Sequence, residues 1–311
     1  SDFLISHMIK TAEDAVEYTD FDKKSTSKEE LKEFATLAFR RPVTDAQIAP
    51  YVRLAEKSKA SRAYAAILCS PRFLYFHEDP GKLDSYAIAS RLSYYLWNSM
   101  PDKTLFDLAA ADKLTDEEVI SEQVERMLKD KKAESFIRNF LHQWLNIENI
   151  TELPPDEKKF KTFYDNGLEE SFTTESFMVF KYMLDENRPV TEFLSADYTF
   201  VDSDLAEHYG LKEVKEFGFV KVSLPDLRRG GFITQGAVLT STSNGVETSP
   251  VLRGIWILQN ILGLRKPNPP PNVPALAVDT RGTRTLRQQL SAHTRNSKCA
   301  TCHRHIDPLG F

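Results

Sequence analysis

Much of this chain consists of helix-start signals followed by apolar residues at helical spacing. Ser27-Lys28-Glu29-Glu30 and Thr44-Asp45-Ala46-Gln47 each place a hydroxyl three residues before an acid or amide, and each is followed by such an apolar stripe. In a capping box of this kind, the hydroxyl accepts a backbone N–H and the later side chain reaches back to the cap. The first two-thirds of the chain are therefore predicted to be successive packed α-helices.

Further start signals extend this interpretation. Asp84 and the run Thr115-Asp116-Glu117-Glu118 are each predicted to open a helix. The aromatic stripe containing Phe136, Phe140 and Trp144 is predicted to be helix core rather than a cofactor box. Only 12 of the 311 residues are glycine, below the average usage of about 7%, which favours helices over tight hairpins.

The hydropathy pattern changes after residue 195, where apolar residues occur in short segments between polar ones. This pattern predicts irregular structure or one small hairpin. Ser249-Pro250 then predicts a helix that runs to about Leu262, because serine is a favoured N-cap and proline fits the first helical position. The segment from Lys266 to Pro274 is too rich in proline for a regular helix and predicts an extended polyproline linker.

These signals predict five segments. They are an N-terminal fragment or linker (1–27), a helical bundle (28–188), a mixed or irregular region with a C-terminal helix (189–265), a proline-rich linker (266–282) and an attachment segment for c-type haem (283–311). The chain ends on Phe311 without a cap, and we expect the natural protein to continue beyond it.

Charge and hydropathy narrow the classes of partner. Forty Lys and Arg against forty-five Asp and Glu give a net charge of -5, and no long block of one sign is present. This argues against nucleic acid or a polybasic membrane surface. No run of eighteen apolar residues is present, so no membrane span is predicted. A redox partner protein or a small-molecule substrate fits better, and the oligomeric state stays open.

The segment Cys299-Ala300-Thr301-Cys302-His303 is the attachment pattern for c-type haem. Two intervening residues let both sulfurs reach one edge of the porphyrin, and the following histidine turns its imidazole onto the iron. The pattern predicts one covalent haem c per chain, with Cys299 and Cys302 as attachment residues and His303 as the proximal iron ligand. The fold class predicted from all these signals is mostly α: a helical bundle followed by a less regular region with a cytochrome-c-like attachment segment.

Three alternatives compete for these cysteines: a structural zinc site using nearby His305 or His293, a thioredoxin-like redox pair, and a chance pair of buried thiols. Zinc would normally need a second pair of ligands, and the redox pair would normally follow a strand. Cys69 is predicted to be a core thiol.

Covalent haem attachment takes place outside the bacterial cytoplasm, so the motif predicts a periplasmic, secreted or cell-surface protein. The chain begins at Ser1 without the regions of a signal peptide. We expect processing or trimming to have removed that signal.

Three stretches together resemble one group of large bacterial proteins, abundant in planctomycetes and their relatives, in which domains of unknown function adjoin. The stretches are Phe39-Arg40-Arg41-Pro42-Val43-Thr44, then Ala89 to Trp97 with Met100-Pro101-Asp102, then Arg229-Gly230-Gly231 through Ser249-Pro250-Val251-Leu252-Arg253-Gly254 to the cysteine motif and Asp307-Pro308-Leu309-Gly310-Phe311. The resemblance covers about residue 28 to the end. It implies a secreted single-haem protein with further domains on either side.

A histidine resembling His293 stands six positions before the first haem cysteine in that group, which makes His293 the first candidate for a second haem contact. It precedes His303 by only ten residues, so a position on the other side of the ring is sterically difficult. A contact to a propionate, or to free carbonyls at a helix end, remains open. Other candidates for a sixth iron ligand are Met100, Met178, Met183, His77 and His142.

Arg253 is the other candidate binding residue. It follows the proline that starts a helix behind a loop rich in Ser and Thr, and its guanidinium is predicted to face a haem propionate or an anionic ligand. The alternative is an ordinary capping salt bridge.

Three functions follow from this sequence. The first is electron transfer through a six-coordinate haem. The second is a haem-dependent, peroxidase-like oxidoreductase with an open distal site, and the third is a substrate-binding or polysaccharide-binding module with an accessory haem.

Overall fold

The computed structural model describes residues 2–18, 26–76, 78–147, 150, 154–212, 214–215, 217–226, 228–266, 285–293 and 297–311. They form mostly α-helices with two short strands, which confirms the predicted mostly-α class. The chain divides into two compact units, Ser1–Phe136 and Ile137–Phe311. None of the helices described here combines the length and the apolar character that a bilayer crossing requires.

The first unit is built from helices. They are α1 Asp2–Tyr18, α2 Lys28–Ala38, α3 Asp45–Lys57, α4 Ala60–Leu68, α5 Pro71–Leu74, α6 Ser85–Trp97, α7 Lys103–Ala110 and α8 Glu117–Leu128, followed by a 3-10 turn at Lys131–Ala133 and the start of α9, Glu134–Leu145. One core cluster contains residues of the four helices α1, α2, α3 and α4, and a second contains residues of α6, α7 and α8.

The predicted capping boxes are present. The Ser27 hydroxyl accepts from the Glu30 N–H and the Glu30 carboxylate accepts from the Ser27 N–H, while Thr44 and Gln47 make the same reciprocal pair. One cap differs by a residue. Asp116, not Thr115, caps α8: its carboxylate accepts from the Glu118 N–H at 2.9 Å, whereas the Thr115 hydroxyl donates to the carbonyl oxygen of Asp112.

Helix α1 was not anticipated within the segment predicted as a fragment or linker. Ala12 and Val16 lie one turn apart on α1, and both are buried against α2 to α4. The spacing of these two residues allows α1 to bury one stripe although most of its other described side chains are exposed.

The second unit combines short helices with one strand pair. Its elements are the rest of α9, then α10 Lys161–Asp165, α11 Leu168–Asp185, α12 Glu192–Ser195, β1 Tyr198–Val201, α13 Ser203–Tyr209, β2 Val220–Ser223, a 3-10 turn at Phe232–Thr234, α14 Gly236–Ser241, α15 Pro250–Trp256, a π-turn at Ile257–Ile261, α16 Leu286–His293, α17 Ser297–Ile306 and a final 3-10 turn at Asp307–Leu309. Strands β1 and β2 pair antiparallel, with Tyr198 opposite Ser223. They are joined through α13 rather than by a tight hairpin turn.

Aromatic rings fill the interior of the second unit. The rings of Phe140, Trp144, Phe180, Phe193 and Phe232 pack with centroids 5.0 to 6.5 Å apart. This packing confirms that the aromatic stripe of α9 is core. The Trp144 indole N–H donates to the backbone oxygen of Asn260 at 2.7 Å, so its one polar atom is satisfied.

The predicted segment boundaries remain predictions. The division between Phe136 and Ile137 falls within the segment predicted as one bundle (28–188). Of the predicted linker (266–282), all but Lys266 lie outside the described residues.

Candidate functional site

The Cys-x-x-Cys-His motif lies within a single helix, α17. Cys299, Cys302 and Ile306 are three and four residues apart, so they share one face of that helix. Cys299 and Ile306 are buried and Cys302 is half-buried, whereas Arg304 and His305 on the other side are exposed. The motif therefore directs both sulfurs toward the interior of the second unit.

All three cysteines are free thiols. Neither Cys299 nor Cys302 is committed to a disulfide, and both remain chemically available for thioether bonds. The third thiol, Cys69, lies in the first unit, where burial raises its pKa above its ordinary value. This agrees with the predicted core role of Cys69.

His303 is held by an acid one turn further along the chain. Its Nδ1 lies 2.9 Å from Oδ1 of Asp307, and both side chains are largely buried. A neutral imidazole that donates from Nδ1 to this carboxylate carries its lone pair on Nε2. Histidines that bind metals usually have this arrangement, in which the second ring nitrogen donates to a carboxylate or carbonyl.

Two glycines let the motif helix approach α15 closely. A Cβ atom at Gly254 would overlap the backbone carbonyl of Ile306, and one at Gly310 would overlap the carbonyl of Pro250. Neither glycine has a positive φ angle, so close backbone approach explains both. Glycine at these positions fixes the attachment helix against α15.

Arg253 lies on α15 beside the C-terminal residues. Ser249 caps this helix and Pro250 occupies its first turn, as predicted. The Arg253 guanidinium donates to the Thr248 hydroxyl at 3.0 Å and to the carbonyl oxygen of Gly310. Burial lowers the pKa of Arg253 below its ordinary value. The two bonds hold the guanidinium near the motif, but its predicted contact with a propionate or another anion remains a prediction.

The candidates for a second iron contact remain untested. His293 is the last residue of α16, and its side chain lies outside the described part of the chain, as does the whole of His77. Met100 follows α6 in the first unit and is 37% exposed. Of the other candidates, Met183 is buried on α11, and Met178 and His142 are half-buried.

The zinc alternative receives no support from the ligand geometry. Over the ranges that the structure describes, no three His, Cys, Asp or Glu side chains come together as a metal-binding group. A haem needs no such group, because the porphyrin supplies four ligands and the protein adds one or two. The two thiols and His303 on α17 are the residue types that haem c attachment requires, whereas the side chain of the candidate zinc ligand His293 lies outside the described residues.

The second unit contains a large cavity that was not predicted from the sequence. Its volume is about 1040 Å³, and its walls include Lys159, Arg228, Arg229 and the predicted residue Arg253. The only local signal was the pair Arg228-Arg229 before Gly230-Gly231. The other walls come from segments far apart in the chain, which no local pattern links.

A buried carboxyl group beside this cavity was also missed. Glu175 of α11 is 1% exposed and accepts hydrogen bonds from the hydroxyls of Thr199 and Tyr209, each at 2.6 Å. Desolvation raises the pKa of Glu175 from 4.5 to about 7 despite these bonds. Tyr209 reaches the cavity wall and also accepts from the Gly236 N–H at 2.7 Å. Through these hydrogen bonds, Glu175 and Tyr209 connect α11, β1, α13 and α14.

Three family models match the chain in succession. Their descriptions are Protein of unknown function (DUF1595), matched by residues 26–78, Protein of unknown function (DUF1592), matched by residues 83–211, and Protein of unknown function (DUF1588), matched by residues 229–311. Neither the curated proteins nor the solved structures contain a match to this chain.

The three matched regions cover most of the chain, and the last one contains the cysteine motif and Arg253. The order of the matches is the order of the stretches that carried the resemblance. The chain belongs to the planctomycete-type group in which these three domains of unknown function adjoin and a Cys-x-x-Cys-His motif lies in the C-terminal one.

Proposed function

We propose that this chain carries one haem c, bound through Cys299 and Cys302 with His303 as an axial ligand, and that it transfers electrons. The observation that carries the proposal is the His303–Asp307 hydrogen bond of 2.9 Å on the same helix as the two free thiols. A chance pair of cysteines would have no reason to be followed by a histidine whose Nδ1 contacts a carboxylate, the arrangement common among metal-binding histidines.

The chain's own residues would do most of the positioning. Cys299 and Cys302 would fix one edge of the ring against α17, while Asp307 would orient the imidazole and increase electron donation from Nε2. When bound, the haem would supply a couple between ferric and ferrous iron for one-electron transfer. Electron donation by the histidine favours the ferric state, so Asp307 would lower the reduction potential.

The proposed location is outside the cytoplasm, in the periplasm or at the cell surface, because that is where bacteria attach haem to this motif. The proposed electron-transfer partner is a redox protein. We propose His293, at the end of α16 and six residues before Cys299, as the first candidate for a second haem contact, to the iron or to a propionate.

A second candidate function, substrate binding, is favoured by the cavity of about 1040 Å³ and its cationic residues. In this case the haem would be an accessory to a binding region. A peroxidase-like oxidoreductase differs from the main proposal in needing an open iron site, and the spectrum of the loaded protein separates the two.

The test is a visible absorption spectrum, oxidised and dithionite-reduced, of protein exported in cells that carry the haem c maturation system. We expect a Soret band with a sharp reduced α band, which indicates six-coordinate iron. The C299S/C302S double variant should lose this spectrum, whereas C69S in the first unit should keep it.

Two results would contradict the proposal at different levels. A wild-type protein without a Soret band would exclude haem attachment. A high-spin spectrum that shifts on adding cyanide or peroxide would keep the haem but replace electron transfer with an enzyme activity at an open iron.

A further inference from the structure

The cavity of the second unit is large enough for an organic molecule. Its volume of about 1040 Å³ lies at the upper end of the range of roughly 300–1,000 Å³ that is usual for small-molecule sites. A single inorganic ion would leave most of this space to water. The occupant that fits is therefore a molecule with several rings or an extended body.

The walls include several aromatic side chains. Phe160 and Phe163 contribute from the start of α10, Phe172 from α11, and Phe311 from the C-terminal residues. Phe163 and Phe172 are buried and pack with ring centroids 5.9 Å apart, so their positions are fixed by the core. Such walls favour a ligand with flat apolar faces.

The charged side chains of the cavity are mostly cationic. Lys159, Arg228, Arg229 and Arg253 line it, and the acidic lining residues are Asp226 and Glu247. Arg228 is paired with Asp226 at 2.7 Å, and this pair is largely exposed. Three cations then remain against one acid, which leaves a positive field in a partly desolvated space.

Arg229 is held in a defined orientation. Its guanidinium carbon lies 3.7 Å above the centre of the Tyr209 ring, and its Nη1 donates to the carbonyl oxygen of Thr234 at 3.0 Å. Its charge also acts on the buried Glu175, where it lowers the pKa against the effect of burial. A guanidinium fixed by stacking presents its remaining N–H groups as a planar fork, the geometry that matches a carboxylate or a sulfonate.

Arg253 provides a second fixed cation. Its described hydrogen bonds go to the Thr248 hydroxyl and the Gly310 carbonyl, both of them neutral. Burial already lowers the pKa of Arg253, so its charge lacks full compensation from the surrounding protein. An anion in the cavity would supply that compensation.

We propose that this cavity is a binding site for an organic anion with flat apolar faces, and that Arg229 and Arg253 supply its cationic contacts. The cavity adjoins the C-terminal residues that follow the haem motif, because Leu309 and Phe311 are among its lining residues. Its lining residues do not include Cys299, Cys302 or His303. The proposal goes beyond haem binding and does not depend on it.

A pair of fluorescent probes tests this proposal with the full chain, prepared without haem. The anion 8-anilinonaphthalene-1-sulfonate and the neutral N-phenyl-1-naphthylamine share one ring system and differ by the sulfonate. We expect the sulfonate probe to bind saturably at one site, at least about tenfold more tightly than the neutral probe, because only the sulfonate reaches the two guanidinium groups.

Substitutions then assign the site. R229Q and R253Q are each expected to weaken binding of the sulfonate probe about tenfold and to leave binding of the neutral probe unchanged, which also shows that the cavity survives. The matched control is the double variant D226N/R228Q, which removes one charge of each sign from the same cavity. It is expected to change affinity for the sulfonate probe less than about threefold.

Three results would overturn the proposal. The first is equal affinity for the charged and the neutral probe. The second is an unchanged sulfonate affinity in both R229Q and R253Q. The third is complete loss of sulfonate binding when the same protein is loaded with haem, which would show that the haem itself occupies the cavity. A protein that never acquires haem but binds the sulfonate probe as described contradicts the haem proposal alone.

Discussion

The first compact unit contains a buried arginine and the second a half-buried one, and the two units satisfy the charge differently. In the first unit, Arg40 is 6% exposed and donates to the carbonyl oxygens of Arg72, Phe73 and Tyr75 at 3.0–3.1 Å. In the second unit, Arg253 has one hydroxyl and one carbonyl partner and faces a cavity.

The surroundings of Arg40 are closed. Its guanidinium also lies 5.3 Å from the centre of the Phe76 ring and 5.5 Å from that of Tyr94, so rings and carbonyls occupy the space around it. A buried charge that the protein itself satisfies contributes to the fold. A half-buried charge that remains incompletely satisfied beside a cavity is available to a ligand, and this difference separates the roles of the two units.

The largest effect is expected from Arg40. R40M should lower the free energy of unfolding by at least about 3 kcal/mol, because it removes the donor to the carbonyl oxygens of Arg72, Phe73 and Tyr75. R253M should cost only about 1 kcal/mol, since fewer protein groups depend on Arg253. Urea denaturation of the full chain measures both, and equal losses would remove the distinction between the two arginines.

A second large effect concerns pH and Glu175. Its pKa is raised from 4.5 to about 7, so the folded chain binds more protons than the unfolded chain between those values. Its contribution to stability is therefore complete below about pH 4.5 and is lost as pH rises through about 7, a change on the order of 3 kcal/mol. E175Q should flatten this part of the stability profile.

Other titratable groups near Glu175 can also change the stability with pH. The useful quantity is therefore the difference in the free energy of unfolding between E175Q and wild type. Burial and Arg229 lower the pKa of His208, which makes stability rise with pH over its own titration, the opposite sign. Tyr209 titrates well above its ordinary range and does not contribute near neutral pH. Denaturation midpoints at pH 5 and pH 8 give the comparison, and a slope retained in E175Q would assign the effect to another group.

The substitution G254A distinguishes the intrinsic helix propensity at position 254 from the packing of α15 against α17. An isolated helix gains about 1 kcal/mol when glycine becomes alanine. Here G254A should instead destabilise the second unit by about 1–3 kcal/mol, because the added methyl overlaps the carbonyl of Ile306. The exposed residue Leu252 on the same helix provides the control, since L252A should change stability little. Stabilisation by G254A would show that α15 and α17 do not pack as described.

The smallest effect tests a helix cap in the first unit. T44A should cost about 1 kcal/mol, because the Thr44 hydroxyl accepts the Gln47 N–H in a complete capping box. T115A should cost much less, since Asp116 performs that role for α8. Equal costs for the two substitutions, read from urea midpoints, would restore Thr115 as the cap.

Local chemistry explains what the sequence could predict. The caps at Ser27, Thr44 and Asp84 depend on residues within one helical turn, and all three are present. The aromatic core position of α9 follows from its own periodicity. The Cys-x-x-Cys-His motif is local as well and predicts haem attachment, but its position within one helix was not predicted.

Non-local packing explains what the sequence could not predict. Arg229 and Lys159 reach one cavity from segments seventy residues apart in the chain. Glu175 follows a threonine pair on α11, and no local pattern predicts its burial. Its partners Thr199 and Tyr209 come from later segments of the chain. Strand β2 was foreseen only as part of a small hairpin, because no local pattern shows that α13 would stand between the strands.

The central claim is that Cys299 and Cys302 hold a haem covalently, and denaturing mass spectrometry tests it most directly. Full-length protein exported with the maturation system should keep one haem per chain after unfolding in acid, and C69S should do the same. The C299S/C302S variant should appear at the mass of the bare polypeptide. A wild-type chain that also appears at that mass, with all three thiols open to alkylation, would contradict the account.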